Sequence, residues 1–229
     1  MLAMLFYNLF LFFSVRDRTY FFYVLYVAAF VAFQLTLHGI GYQYLWPGQI
    51  WLNEKAPLLA VNAFGLFGIL FIVDLLQLKT QAPQLYHCFY WLAVVVLTYG
   101  VAALFVPYST AIMIFIGLCV FISPLCLATG IIIWWRGYRP ARYFTIAFGV
   151  FLIGTVILSL SKFGLLPRNF FTEHGVQLGS ALEVVLLSFA LADRINIIHQ
   201  EKKIAEKARE AAEALAEHGM AHQRTESSG

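Results

Sequence analysis

The 229 residues are 61% hydrophobic and 12% charged, with a mean hydropathy of +0.77, whereas soluble domains carry about 25% charged residues. That balance excludes an ordinary soluble domain and assigns the chain to the integral membrane proteins. The net charge of +3 rests mostly on Lys and Arg in loops, which argues against a nucleic-acid partner and leaves membrane lipids as the surroundings.

A bilayer core of about 30 Å takes about 20 apolar residues in a helix. The chain opens on a shorter apolar run, residues 1–13, which at about 1.5 Å per residue reaches only about 20 Å. It has no basic leader and no small-residue cleavage site, so it does not read as a signal peptide. The expectation is a first transmembrane helix that the chain enters part-way. Six further spans follow at 20–41, 56–78, 85–106, 109–135, 142–163 and 174–197. The predicted fold is an all-α polytopic bundle of seven transmembrane helices, the first truncated. Pro124 lies in the middle of its span and is expected to kink it.

Arg16, Arg18, Lys79, Arg136, Arg139, Arg142, Arg194, Lys202 and Lys203 fall on one side of this arrangement, and only Lys55, Lys162 and Arg168 on the other. The excess marks the cytoplasmic side, placing the N-terminus outside and the C-terminus in the cytoplasm. Tyr42, Tyr44, Trp46, Trp51 and Tyr108 are expected at the outer interface, and Trp134, Trp135 and Tyr138 at the inner one. Cys88, Cys119 and Cys126 sit in apolar segments without metal-type spacing and read as packing residues.

From Ser180 to His218 there is no Gly and no Pro, enough for about 58 Å of unbroken helix leaving the membrane. Ile197, Ile204 and Ala211 recur every seven residues, with Glu201, Ala208 and Leu215 four residues after each, a thin and partly polar pattern. This seam predicts a cytoplasmic coiled coil and a homodimer. The predicted organisation is a membrane domain over 1–197, a signalling helix over 198–218 and a disordered tail over 219–229, with Gly219 ending the helix.

Membrane-embedded polar residues carry the functional reading. Gln34 and Asn62 lie about 10 and 9 Å from the outer ends of their spans, and Glu183 about 14 Å. Gln177 and Ser180 precede Glu183 on the same side of its helix. Such groups must face protein or water, so the five are expected to form an intramembrane polar pocket, or a network orienting the helices. Glu183 is expected to hydrogen-bond Gln34, Asn62 or Ser180 and to set the resting position of the last helix. Asp74 reads as snorkelling towards interfacial water.

No phosphate-binding loop, HExxH or GxSxG occurs. His38, His87 and His174 lie on separate segments near helix ends, so no metal site is expected. The last span lacks the lysine that a retinal Schiff base needs. No cofactor and no enzymatic activity are predicted.

"YNLFLFFSVRDRTYFFYVLY" (7–26), "GYQYLWPGQIWLNEKA" (41–56), "WWRGYRPARYF" (134–144) and "GVQLGSALEVVLLSFALADRI" (175–195) resemble the membrane domain of the bacterial seven-transmembrane receptors with diverse intracellular signalling modules. The resemblance implies a location in the bacterial inner membrane, with a periplasmic sensory domain and a cytoplasmic output domain (cyclase, kinase or phosphatase) in the full-length gene or in trans. The function predicted is a receptor module passing a periplasmic or membrane-borne signal through the last helix. The alternative is a small-solute or ion transporter.

Overall fold

Asp17 interrupts the opening apolar run and starts the helix after it: its carboxylate accepts the Thr19 amide at 2.6 Å, an N-cap. The computed structural model describes residues 2–45, 47–162, 167 and 175–226. In chain order its elements are α1 (Leu2–Val15), α2 (Arg18–Leu37), a π-helical turn (Gly41–Leu45), α3 (Ile50–Leu75), α4 (Leu78–Gln81), α5 (Pro83–Ala102), α6 (Tyr108–Trp135), α7 (Arg139–Lys162) and α8 (Gly175–Glu226). No strand occurs among the described residues. Trp46, Arg168 and His174, and the side chains of Lys162, Gln177 and Leu215, lie outside them.

Among the described residues, five helices are long and apolar enough to cross a membrane: α2, α3, α5, α6 and α7. Two of the seven crossings expected, the first and the last, are not among them. The apolar part of α1 is only Met4–Phe13, and in α8 the apolar run ends at Asp193 and Arg194. Boundaries move as well. The span expected over 20–41 stops at Leu37, where the His38 amide bonds the Gln34 carbonyl and Gly39 turns the chain at φ +72°. The span expected from 56 begins at Ile50. The polar residues Asn53, Glu54 and Lys55 are therefore helical and not loop. Lys55 is buried, and its ammonium donates to the carbonyls of Ala103 (3.2 Å) and Val106 (2.7 Å), capping the C-terminal end of α5. α6 runs through Pro124, which has no N–H to give the Val120 carbonyl one turn back.

The chain divides into two compact units, Met1–Leu191 and Ala192–Gly229. In the first, α2 and α3 make the core. Tyr23 packs on Phe71 with ring centroids 5.2 Å apart, and Tyr26 stacks on Phe64 at 4.7 Å. α5 meets α6 where the Tyr99 hydroxyl donates to the Ala111 carbonyl at 2.7 Å. α8 approaches α7 backbone to backbone: a Cβ on Gly179 would lie 3.4 Å from the Val150 carbonyl, and one on Gly175 would lie 3.3 Å from that of Gly154. Small residues four apart permit this approach between membrane helices. Outward faces stay apolar, with Phe121 79% and Met113 73% exposed on α6, as a lipid-facing surface requires.

One end of this unit gathers the basic turns. Arg136 donates to the Gln81 carbonyl, and Tyr138 to that of Leu75 at 3.3 Å. Thr19, fully buried, donates to Asp74 at 3.0 Å. Asp74 therefore ties α3 to α2, a direct partner in place of the snorkelling expected of it. Of the expected interfacial aromatics, Tyr42, Tyr44, Trp51, Tyr108, Trp134 and Trp135 are exposed.

The second unit is helical from its start to Glu226. The helix passes through Gly219, where its end was expected. A single glycine costs a helix only about 1 kcal/mol, and Met220, Ala221 and His222 beyond it continue the helix. Residues 201–211 are all exposed, Ile204 among them at 69%.

Candidate functional site

Tyr20, Tyr23 and Tyr26 recur every third residue of α2, which places them along one face. All three are buried. The Tyr23 hydroxyl donates to the Val184 carbonyl of α8 at 2.6 Å and lies 3.2 Å from the Ser188 hydroxyl. One turn further along α2, the Tyr26 hydroxyl donates to Glu183 Oε1 at 2.9 Å. Phe64 and Phe71 of α3 flank the Tyr26 ring, with centroids at 4.7 and 6.1 Å. The aromatic packing of α3 thus fixes the ring whose hydroxyl holds the carboxylate of α8. Glu183 is 3% exposed.

This contact forms part of the wall of a cavity of about 780 Å³ lined from α2, α3, α5, α6, α7 and α8. Phe30, Phe33, Phe64, Phe71, Phe144 and Phe148 make much of its surface apolar. The polar lining includes Glu183, Gln34, Asn62, Ser123 and Thr155. Ser123 and Thr155 donate their hydroxyl protons back to the Cys119 and Phe151 carbonyls of their own helices, at 2.7 and 3.0 Å. Asn62 is 7% exposed, and its Oδ1 is buried without a hydrogen-bond partner. Its amide nitrogen occupies the space that a side chain at Gly100 of α5 would fill. No Lys or Arg occurs among the described lining residues.

Of the five pocket residues expected from sequence, Glu183, Gln34 and Asn62 line this one cavity. Ser180 is buried one turn from Glu183, at 1% exposure. No hydrogen bond joins Glu183 to Gln34 or Asn62; the donor is Tyr26. Sequence reasoning missed it because tyrosines were read only as interfacial residues. The three-residue spacing of Tyr20, Tyr23 and Tyr26 was the available signal. Asn8 of α1 is fully buried and accepts from Ser188 at 3.3 Å, joining α1 to α8.

The remaining candidates fall elsewhere. His38 stands on the cavity at the exposed end of α2, and His87 Nδ1 lies 2.7 Å from the Pro83 carbonyl. Among the described residues no three His, Cys, Asp or Glu side chains converge on a point. Cys119 and Cys126 line the cavity, whereas Cys88 is exposed. The seam residues Ile204, Ala208 and Ala211 are exposed and Ile197 is half-buried.

A family model described as 7TM diverse intracellular signalling matches residues 1–194. Neither a curated protein nor a solved structure matches the chain.

Proposed function

The chain belongs to the family of 7TM diverse intracellular signalling proteins, and from that premise we propose that it senses a signal in or above the membrane and passes it through α8 to a cytoplasmic output. It is a multi-pass membrane protein of the receptor type. In the proposal, α1 and α8 complete a seven-helix crossing. The N-terminus lies outside and the C-terminus in the cytoplasm of a bacterial inner membrane, as the excess of Lys and Arg on one set of turns supports. The chain itself transmits and does not catalyse. A sensory and an output domain act with it in cis or in trans, and two copies pair through Ile197, Ile204, Ala208, Ala211 and Leu215.

The observation that carries the reading is the hydrogen bond from Tyr26 to Glu183 at the cavity wall. A carboxylate deep in a bilayer is penalised by about 2.5–3.5 kcal/mol on insertion scales, so its position on α8 is set by the partners it finds. Whatever fills or reshapes the cavity changes those partners. Displacement of α8 by such a change is a familiar form of switching between packed helices.

The test joins a diguanylate cyclase to the C-terminal end of α8 and measures its product in cells. Glu183→Leu is expected to shift the resting output by about threefold or more, since removing a state-specific contact changes the balance of two states. Val120→Ala, on the exposed face of α6, is the control. Output from Glu183→Leu equal to that of the parent, in correctly inserted protein, refutes the role given to this contact.

A further inference from the structure

The lining of the cavity specifies a class of ligand. Its volume of about 780 Å³ lies within the range of about 300–1,000 Å³ usual for small-molecule sites. Two buried acceptors stand in its wall: the Glu183 carboxylate, which takes one hydrogen bond from Tyr26, and Asn62 Oδ1, which has none. A buried acceptor without a donor is destabilising in the empty site, and a ligand donor offsets that cost.

The hydroxyls of the lining commit their protons within the bundle, Tyr99 to the Ala111 carbonyl of α6. Ser123 and Thr155 bond carbonyls one turn back, and Tyr26 bonds Glu183. The hydroxyl protons are thus spent within the wall, and the amides of Gln34 and Asn62 stand beside the two acceptors. Without Lys or Arg among the described lining residues, an acidic ligand would meet Glu183 with no opposite charge in compensation. An acyl chain would leave both acceptors buried and unanswered. The rings of Phe30, Phe64, Phe71 and Phe144 suit an apolar body, and their faces favour a nearby cation.

The cavity extends along α2 from Tyr26 to His38, about 18 Å of helix. Leu37 and His38 at that end are exposed. Arg16 and Arg18 lie at the opposite end of α2, so the route from this end is the one least opposed to a cation.

Resting on the receptor reading above, we propose that this cavity binds a small apolar amine, with Glu183 accepting from its nitrogen and Asn62 Oδ1 serving as a second acceptor. The wall of α2, α3 and α7 holds its hydrocarbon part. Filling the site occupies the carboxylate that Tyr26 holds, and binding thereby becomes felt at α8.

The experiment uses the full chain in lipid nanodiscs, radiolabelled 4-phenylbutylamine as the probe and empty nanodiscs as the blank. Saturable binding is expected. Unlabelled amine should compete about tenfold better than 4-phenylbutanol, the increment of a hydrogen bond to a charged group, and 4-phenylbutyrate should not compete. Glu183→Gln should bring amine and alcohol to within about threefold of each other, the neutral amide having lost the charge-assisted bond. Gly65→Leu adds a side chain to the cavity lining of α3 and should weaken amine and alcohol alike. It serves as the decisive variant if Glu183→Gln does not fold.

Unsaturable uptake, equal competition by amine and alcohol, or an amine advantage that survives Glu183→Gln overturns the proposal. Binding unchanged in Gly65→Leu places the probe outside the cavity and does the same. Selective binding with a cyclase fusion that does not respond to the amine would strike the receptor reading and leave the site standing. A regulated fusion without amine selectivity would strike the site alone.

Discussion

Tyr26→Phe removes one hydroxyl and leaves the ring stacked on Phe64, so it isolates the bond to Glu183. Depriving a buried acceptor of its donor costs about 1–3 kcal/mol in soluble proteins. Side-chain hydrogen bonds between membrane helices average about 0.6 kcal/mol and reach about 1.7. Glu183 is 3% exposed and Tyr26 supplies its hydrogen bond, which places this case near the upper membrane figure, at about 1–2 kcal/mol. Removing both partners should be nearly neutral, because replacing a matched pair by apolar groups leaves no orphan. Tyr26→Phe combined with Glu183→Leu should therefore be more stable than Tyr26→Phe alone. The assay is unfolding in mixed micelles with increasing denaturing detergent, run on the parent, the two single variants and the double variant. The coupling energy of that cycle should be about 1 kcal/mol or more, and additivity within about 0.3 kcal/mol would refute the reasoning. The carboxylate would then be held by something other than Tyr26.

The same unfolding assay checks two further expectations. Gly100→Ala should destabilise the bundle by about 1–3 kcal/mol through overpacking against the Asn62 amide, and in an Asn62→Ala background the same change should cost nothing. Lys55→Met keeps the stem but loses the donors to Ala103 and Val106. It should cost about 1–3 kcal/mol and speed amide exchange at the end of α5, and unchanged exchange there would show that the cap is idle.

The membrane helices whose apolar runs are long and uninterrupted were legible as sequence. α6 spans Tyr108–Trp135 against an expected 109–135, and α7 lies within three residues of its expected bounds at either end. What misplaced the others was chemistry that hydropathy does not record. The start of α3 hid behind Asn53, Glu54 and Lys55, because Lys55 reads as a loop cation until the carbonyls it caps are seen. The end of α2 hid behind the apolar Ile40, although Gly39 had already turned the chain. At the site, depth counting placed Gln34, Asn62 and Glu183 at comparable levels, and they line one cavity. The donor to Glu183 stayed hidden because it lies 157 positions away on α2. Its only trace in sequence is a spacing of three among tyrosines.

The Ser188 hydroxyl has one proton and three oxygens within reach, Val184 O at 2.9 Å, the Tyr23 hydroxyl at 3.2 Å and Asn8 Oδ1 at 3.3 Å. It can give that proton to its own helix or to α1, but not fully to both. When it turns inward, α1 loses its tie to α8 while the α8 backbone stays satisfied, at the cost of one neutral hydrogen bond, about 0.5–1.5 kcal/mol. α2 has no such easy release, since Tyr23 and Tyr26 hold α8 at two successive turns. α1 can thus part from α8 without leaving the bundle, since Phe12 stays packed on Phe21 of α2 at 5.6 Å. Ser188→Ala should remove the hydroxyl link between α1 and α8 and leave the ties of α2 to α8 in place.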